Sequence, residues 1–88
     1  MTFPLGRVVI TRAALWLAQE AKADPLDLVL RHAAEDWGDL GHSDKAANKS
    51  ALKHGGRIFS AYDWHGQRWY VITEHDRSYT TVMLASDY

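Results

Sequence analysis

From Arg57 to Leu84 the chain alternates runs of β-branched and aromatic residues with turn-forming segments, and this alternation most limits what it can fold into. Arg57 to Tyr62 reads as a strand, and Asp63 to Gln67 as a loop with Gly66 where a turn or bulge needs it. Arg68 to Thr73 reads as a second strand, Glu74 to Ser78 as the next turn, and Tyr79 to Leu84 as the returning strand. In the middle strand Trp69, Val71 and Thr73 oppose Tyr70 and Ile72, so both faces carry large side chains. A strand of that kind belongs inside a sheet, with helices over at least one face.

The first half supplies those helices. Gly6 to Ile10 is a short β-branched run, followed by Thr11 as an N-cap and by the helix formers of Arg12 to Lys22. Ala14, Leu17, Ala18 and Ala21 share one face of that helix. Asp24 and Pro25 open a second helix, in which Leu26, Val29, Leu30, Ala33 and Trp37 follow the i, i+3, i+4, i+7 spacing of a buried stripe. Gly38 offers the left-handed stop. Ser43 can cap a third helix, rich in small residues, that runs to about Lys53 and ends at Gly55-Gly56. The predicted fold is therefore α+β: a short N-terminal strand, three helices, then a three-stranded antiparallel meander packed on the helices, all in a single domain over residues 1–88.

At 88 residues such a domain buries only about 60–65% of the surface its unfolded chain exposes. It has no cysteine, which excludes disulfides and thiolate metal sites and favours a reducing, cytoplasmic setting. No apolar run reaches the length of a membrane span. Ten basic against eleven acidic residues leave a formal net charge of −1, so nucleic-acid binding would depend on a local patch.

Three sets of charged residues are candidates for function. Lys45, Lys49 and Lys53 recur four apart along one side of the third helix, a possible line of phosphate contacts or a solvated face. Glu35, Asp36 and Asp39, with Asp44 beyond, concentrate negative charge where the second helix ends, either to meet a basic partner or to cap backbone amides. The turn Glu74-His75-Asp76-Arg77-Ser78 is the densest cluster of chemical groups and sits between two strong strands. It is a partner-binding candidate through Glu74, Asp76 and Arg77. Were the chain an enzyme, Glu74 would be its base, His75 its acid, and Arg77 and Arg57 its anion clamps. The bland alternative is an ion-paired turn in which Ser78 bonds a backbone amide. The five histidines are scattered and expected at the surface; His32 with Glu35 falls short of a zinc site, so no metal or cofactor is predicted.

Asp36-Trp37-Gly38-Asp39-Leu40, Asp44-Lys45, Gly55-Gly56-Arg57-Ile58, Ile72-Thr73-Glu74 and Asp76-Arg77-Ser78 together resemble a family of small uncharacterised proteins encoded on bacterial plasmids, integrative elements and phages. The resemblance implies a non-enzymatic inhibitor of a host defence nuclease system, of the anti-CRISPR or anti-restriction type. Its partner would be a protein or ribonucleoprotein complex. The strands also look like the C-terminal strands of barnase-type ribonucleases, which keeps a metal-independent ribonuclease or toxin as one alternative. A small nucleic-acid-binding regulator is the other. No upstream strand offers the glutamate base of such ribonucleases.

Overall fold

The computed structural model describes residues 3–88. Strand β1 (Arg7–Ile10) leads into helix α1 (Arg12–Ala21), α2 (Leu26–Ala33) and α3 (His42–His54). Strands β2 (Ile58–Trp64), β3 (Gln67–Thr73) and β4 (Tyr79–Leu84) follow, and a short 3-10 turn spans Ala85–Asp87. The α+β expectation and the helix count hold, and β2, β3 and β4 form the predicted antiparallel meander, but the sheet goes beyond it. It is four-stranded and mixed, in the order β1-β4-β3-β2, with β1 parallel to β4. The physical reason is the crossover: the intervening helices carry the chain back to the far end of the sheet, and only a long connection can place two strands side by side in parallel. β3 and β4 are consequently both interior strands.

Element ends show what local chemistry decides. Thr11 caps α1 as expected, its Oγ1 accepting from the Ala14 N–H at 3.3 Å. Asp24 accepts from the Leu26 N–H at 2.9 Å and so closes the start of α2. Ser43 does not cap α3, which begins a residue earlier, behind Gly41. The predicted Asp63 to Gln67 loop shrinks to His65-Gly66, whose φ angles of 49° and 76° give the tight hairpin turn that matches strand twist.

Helix α2 ends well before Trp37. Glu35 takes a left-handed φ of 63°, the Asp36 N–H reaches back to the Arg31 carbonyl at 2.9 Å, and the Glu35 N–H reaches the His32 carbonyl at 3.1 Å. This is the six-to-one, five-to-two termination for which glycine is the usual residue. The buried face is also rotated from the predicted stripe. Leu28, Val29, His32 and Ala33 point inward, while Leu26 and Leu30 are 53% and 67% exposed.

One face of the sheet and the helices α1 and α2 enclose the main core, which includes Ala14, Leu28, Val29, Tyr62, Trp69, Val71 and Val82. A smaller cluster of Phe3, Trp37, Ala51 and Ile58 lies under α3.

The outer edge of β2 is covered. Gly38 bridges to Ala61, with the Asp39 N–H donating to the Ala61 carbonyl and the Ala61 N–H donating to the Trp37 carbonyl. A Cβ on Gly38 would run into that Ala61 oxygen, so this close approach requires glycine. Two residues away along the same edge the Asn48 amide completes the cover: its Nδ2 donates to the Phe59 carbonyl at 2.7 Å and its Oδ1 accepts from the Phe59 N–H at 3.0 Å. Asn48→Ala removes both bonds and leaves the two backbone groups unsatisfied, so we expect a loss of about 2 kcal/mol. A lower urea midpoint at unchanged slope checks it.

Candidate partner-binding surface

The side chains best suited to chemistry are engaged by the fold. His32 is fully buried, its Nδ1 2.6 Å from Ser60 Oγ and its Nε2 2.9 Å from Thr73 Oγ1. Thr73 Oγ1 lies 2.7 Å from Thr80 Oγ1, which donates to the Leu5 carbonyl at 2.7 Å. A carbonyl only accepts and a hydroxyl has one proton, so the directions propagate back along the chain. Thr80 donates to Leu5, Thr73 donates to Thr80, His32 Nε2–H donates to Thr73, and Nδ1 accepts from Ser60. His32 is thus a neutral Nε2–H imidazole, and burial pushes its pKa down to about 4. This corrects the expectation of a surface histidine: the ring sits inside because Ser60 of β2 and Thr73 of β3 supply its polar partners.

The Glu74 to Ser78 turn is equally occupied. Asp76 Oδ1 accepts from both the Ser78 hydroxyl at 2.6 Å and the Ser78 N–H at 3.0 Å, which holds its carboxyl below the usual carboxylate range. Arg77 adopts a left-handed φ of 60°. Its Nη1 donates to the Gly56 and Glu74 carbonyls at 2.6 and 2.9 Å, and its Nη2 donates to the Ala51 carbonyl in the last turn of α3 at 3.1 Å. The guanidinium therefore ties the turn to the C-terminus of α3, where a cation is favoured. Arg57 Nε stands 3.8 Å from Glu74 Oε2, and His75 is exposed on the tip. Of the four residues considered as a possible catalytic set, Arg57 and Glu74 approach each other, while the Arg77 guanidinium is taken up by backbone oxygens.

Helix α3 runs along the β2 edge with a charged groove on each flank. The first, about 400 Å³, is lined by Glu35, Asp36, Trp37, His42, Lys45 and Lys49, among others. Two of the predicted sets, the acidic α2 end and the lysine stripe, thus meet across one cavity. Lys53 lies a turn beyond, exposed in the last turn of α3. Asp36 is held by Arg31, whose Nε donates at 2.7 Å and whose guanidinium lies 4.5 Å above the Tyr62 ring; this bond holds the Asp36 carboxyl below its ordinary range. Asp39 lies outside that lining, 3.7 Å from Arg68, and accepts from the Asp63 N–H. Glu35, Lys45 and Lys49 are in none of the ion pairs among the described residues. Trp37 is almost fully buried, and its Nε1 has no hydrogen-bond partner among those residues. Tyr62, behind it, donates to the Asp36 carbonyl at 2.6 Å, and burial pushes its pKa up to about 12.

The second groove, about 450 Å³, is lined by Asp44, Asn48, Arg57, Phe59, Tyr70 and Tyr88. Its three aromatic rings meet edge-on or tilted at centroid distances of 4.7 to 6.0 Å. Arg57 lies 5.8 Å from the Tyr88 ring. Sequence reasoning did not single out these aromatics, because their assembly depends on pairing Phe59 with a strand neighbour of Tyr70 and folding the last turn back over both.

No group of three or more metal-ligating side chains occurs among the described residues, and none of their helices is long and apolar enough to cross a membrane. Comparison with known proteins found no matching family model, no matching curated protein and no matching solved structure.

Proposed function

We propose that this protein acts by binding a macromolecular partner, without turnover, through the groove between the end of α2 and the side of α3. The observation that carries this reading is the combination of Glu35, Lys45 and Lys49 in one cavity, none of them in an ion pair among the described residues. Glu35 occupies a left-handed position that glycine would fill at lower cost, and its carboxylate borders the cavity unpaired among the described residues. Lys45 and Lys49 line the same cavity, floored by the buried Trp37 ring. A partner offering a mixed pair of charges would meet the carboxylate and the two ammonium groups together.

The specific form proposed is inhibition of a host defence nuclease of the CRISPR or restriction type, supported by the resemblance to small proteins of mobile genetic elements. The test adds purified protein to a panel of such nucleases and measures DNA cleavage. Inhibition is expected for at least one of them, weakened about tenfold or more by Glu35→Gly and by Lys45→Glu with Lys49→Glu. Glu35→Gly is expected meanwhile to raise stability by about 1 kcal/mol, because it removes the left-handed strain, so weaker binding would not reflect unfolding. Undiminished cleavage across the panel would overturn this form.

A second reading rests on the aromatic groove. Phe59, Tyr70, Tyr88 and Arg57 form the kind of surface on which unpaired bases stack, with the Arg57 guanidinium as the group that would meet a backbone phosphate. It predicts binding to single-stranded oligonucleotides that falls steeply with salt and is lost in Tyr70→Ala. Salt-insensitive or undetectable binding would eliminate it.

A further inference from the structure

The two sheet edges are treated in opposite ways. That of β2 is covered by Trp37 to Asp39 and by the Asn48 amide. That of β1 has no such cover among the described residues. The Arg7 N–H donates to the Ser78 carbonyl and the Thr11 N–H to the Val82 carbonyl, so odd-numbered residues of β1 turn their backbone groups toward β4. By alternation, Val8 and Ile10 turn their N–H and C=O groups outward. Neither proline, bulge nor inward charge protects this edge.

We propose that the chain forms a two-fold symmetric dimer in which β1 pairs antiparallel with β1 of a second copy, joining the two sheets into one. This is independent of the partner-binding reading above. A second copy is the occupant because the edge complements itself, and one register keeps every partner within β1 of the two copies. With Val9 on the dyad, Val8 exchanges both backbone bonds with Ile10 of the other copy, and Ile10 with Val8, so every outward group is satisfied. The same register sets Arg7 opposite Thr11 of the other copy. Thr11 Oγ1 donates to Asp87 Oδ2 at 2.8 Å, which fixes a carboxylate at that point. Arg7 and Asp87 are both exposed, and neither is in an ion pair within the chain among the described residues. The pairing therefore supplies a complementary charge twice, once on each side of the axis.

The side chains agree. Val8, Ile10, Leu26 and Val29 line an apolar groove of about 250 Å³ above β1, and Val8 and Leu26 are 40% and 53% exposed. The dyad brings two such grooves together on the helix-covered side of the joined sheet.

The register makes a sharp test. The chain has no cysteine, so a single introduced thiol is unique. Val9→Cys places two thiols face to face at a non-hydrogen-bonded pair, with Cα atoms about 4.5 Å apart, within disulfide reach. Air oxidation of full-length Val9→Cys is expected to give a covalent dimer in high yield, while Val8→Cys does not. In sedimentation equilibrium the unmodified chain is expected at twice its monomer mass at high concentration. Val8→Pro should be monomeric with an unchanged circular dichroism spectrum, since the lost N–H serves no bond within the fold. Arg7→Glu should weaken association about tenfold or more, by setting like charges together. A chain that stays monomeric near millimolar concentration would overturn the proposal. So would a dimer that survives Val8→Pro, or cross-linking stronger at Val8→Cys than at Val9→Cys.

Discussion

Acidifying the protein from pH 7 to pH 4 is expected to remove about 3 kcal/mol of folding stability through His32 alone. Folded His32 titrates at about 4, against 6.5 when unfolded, so the unfolded chain takes up its proton first. Stability is level above pH 6.5, declines by about 1.4 kcal/mol per pH unit below it, and levels again below pH 4. Asp36 and Asp76 have lowered pKa values, so their contributions are present above pH 3.8 and are lost only below that, which keeps the two windows apart. Native domains hold roughly 5–15 kcal/mol in all, so urea midpoints taken across pH 4 to 7 will show the decline clearly. His32→Gln keeps a donor for Thr73 but cannot titrate. Its profile should be flat over the same window, at a cost of about 1–2 kcal/mol at pH 7 for the unsatisfied Ser60 hydroxyl. A flat profile in the unaltered protein would refute the neutral, buried imidazole.

The second large effect lies at Arg77. Removing its guanidinium in Arg77→Ala leaves the Gly56, Glu74 and Ala51 carbonyls without their cation and unties the β3–β4 turn from the end of α3. Bonds to a charged donor are stronger than neutral ones, so the expected loss is about 3 kcal/mol, or some 15 °C in melting temperature for a domain of this size. Arg77→Lys should recover part of it, because an ammonium keeps the charge but not the planar fork. Calorimetry on the two variants decides the matter. A shift of only a degree or two in Arg77→Ala would mean that the turn stands by itself and that Arg77 is free for a partner.

Both residues show where the sequence was legible and where it was not. The strand Tyr79 to Leu84 and the turn before it followed from local composition, because β-branched alternation and Asp-Arg-Ser turn chemistry act over a few residues. The buried face of α2 did not follow. Counting only apolar residues favoured Leu26 and Leu30 over His32, whereas the tertiary structure rewards His32 with hydroxyls from two strands, β2 and β3. The parallel β1–β4 pairing was equally hidden, since it joins residues far apart in the chain and leaves no periodic mark. Arg77 was recognised as important for its charge, yet its partners are main-chain oxygens whose convergence depends on α3 ending at Gly55. Of the candidate site, the acidic and basic sets were legible separately. Their meeting across one groove, and the Trp37 indole between them, required the fold.

The central claim is that this surface works by occupying a partner and not by transforming it. The most direct measurement is a titration of the protein into whichever nuclease of the proposed panel shows reduced cleavage, at nuclease concentrations well above the dissociation constant. Binding predicts that activity falls linearly and ends at a fixed whole-number ratio of protein to nuclease complex, with recovery when the two are separated. Loss of activity at ratios far below one, continuing with time and surviving separation, would contradict it, because each copy would then be turning over many targets.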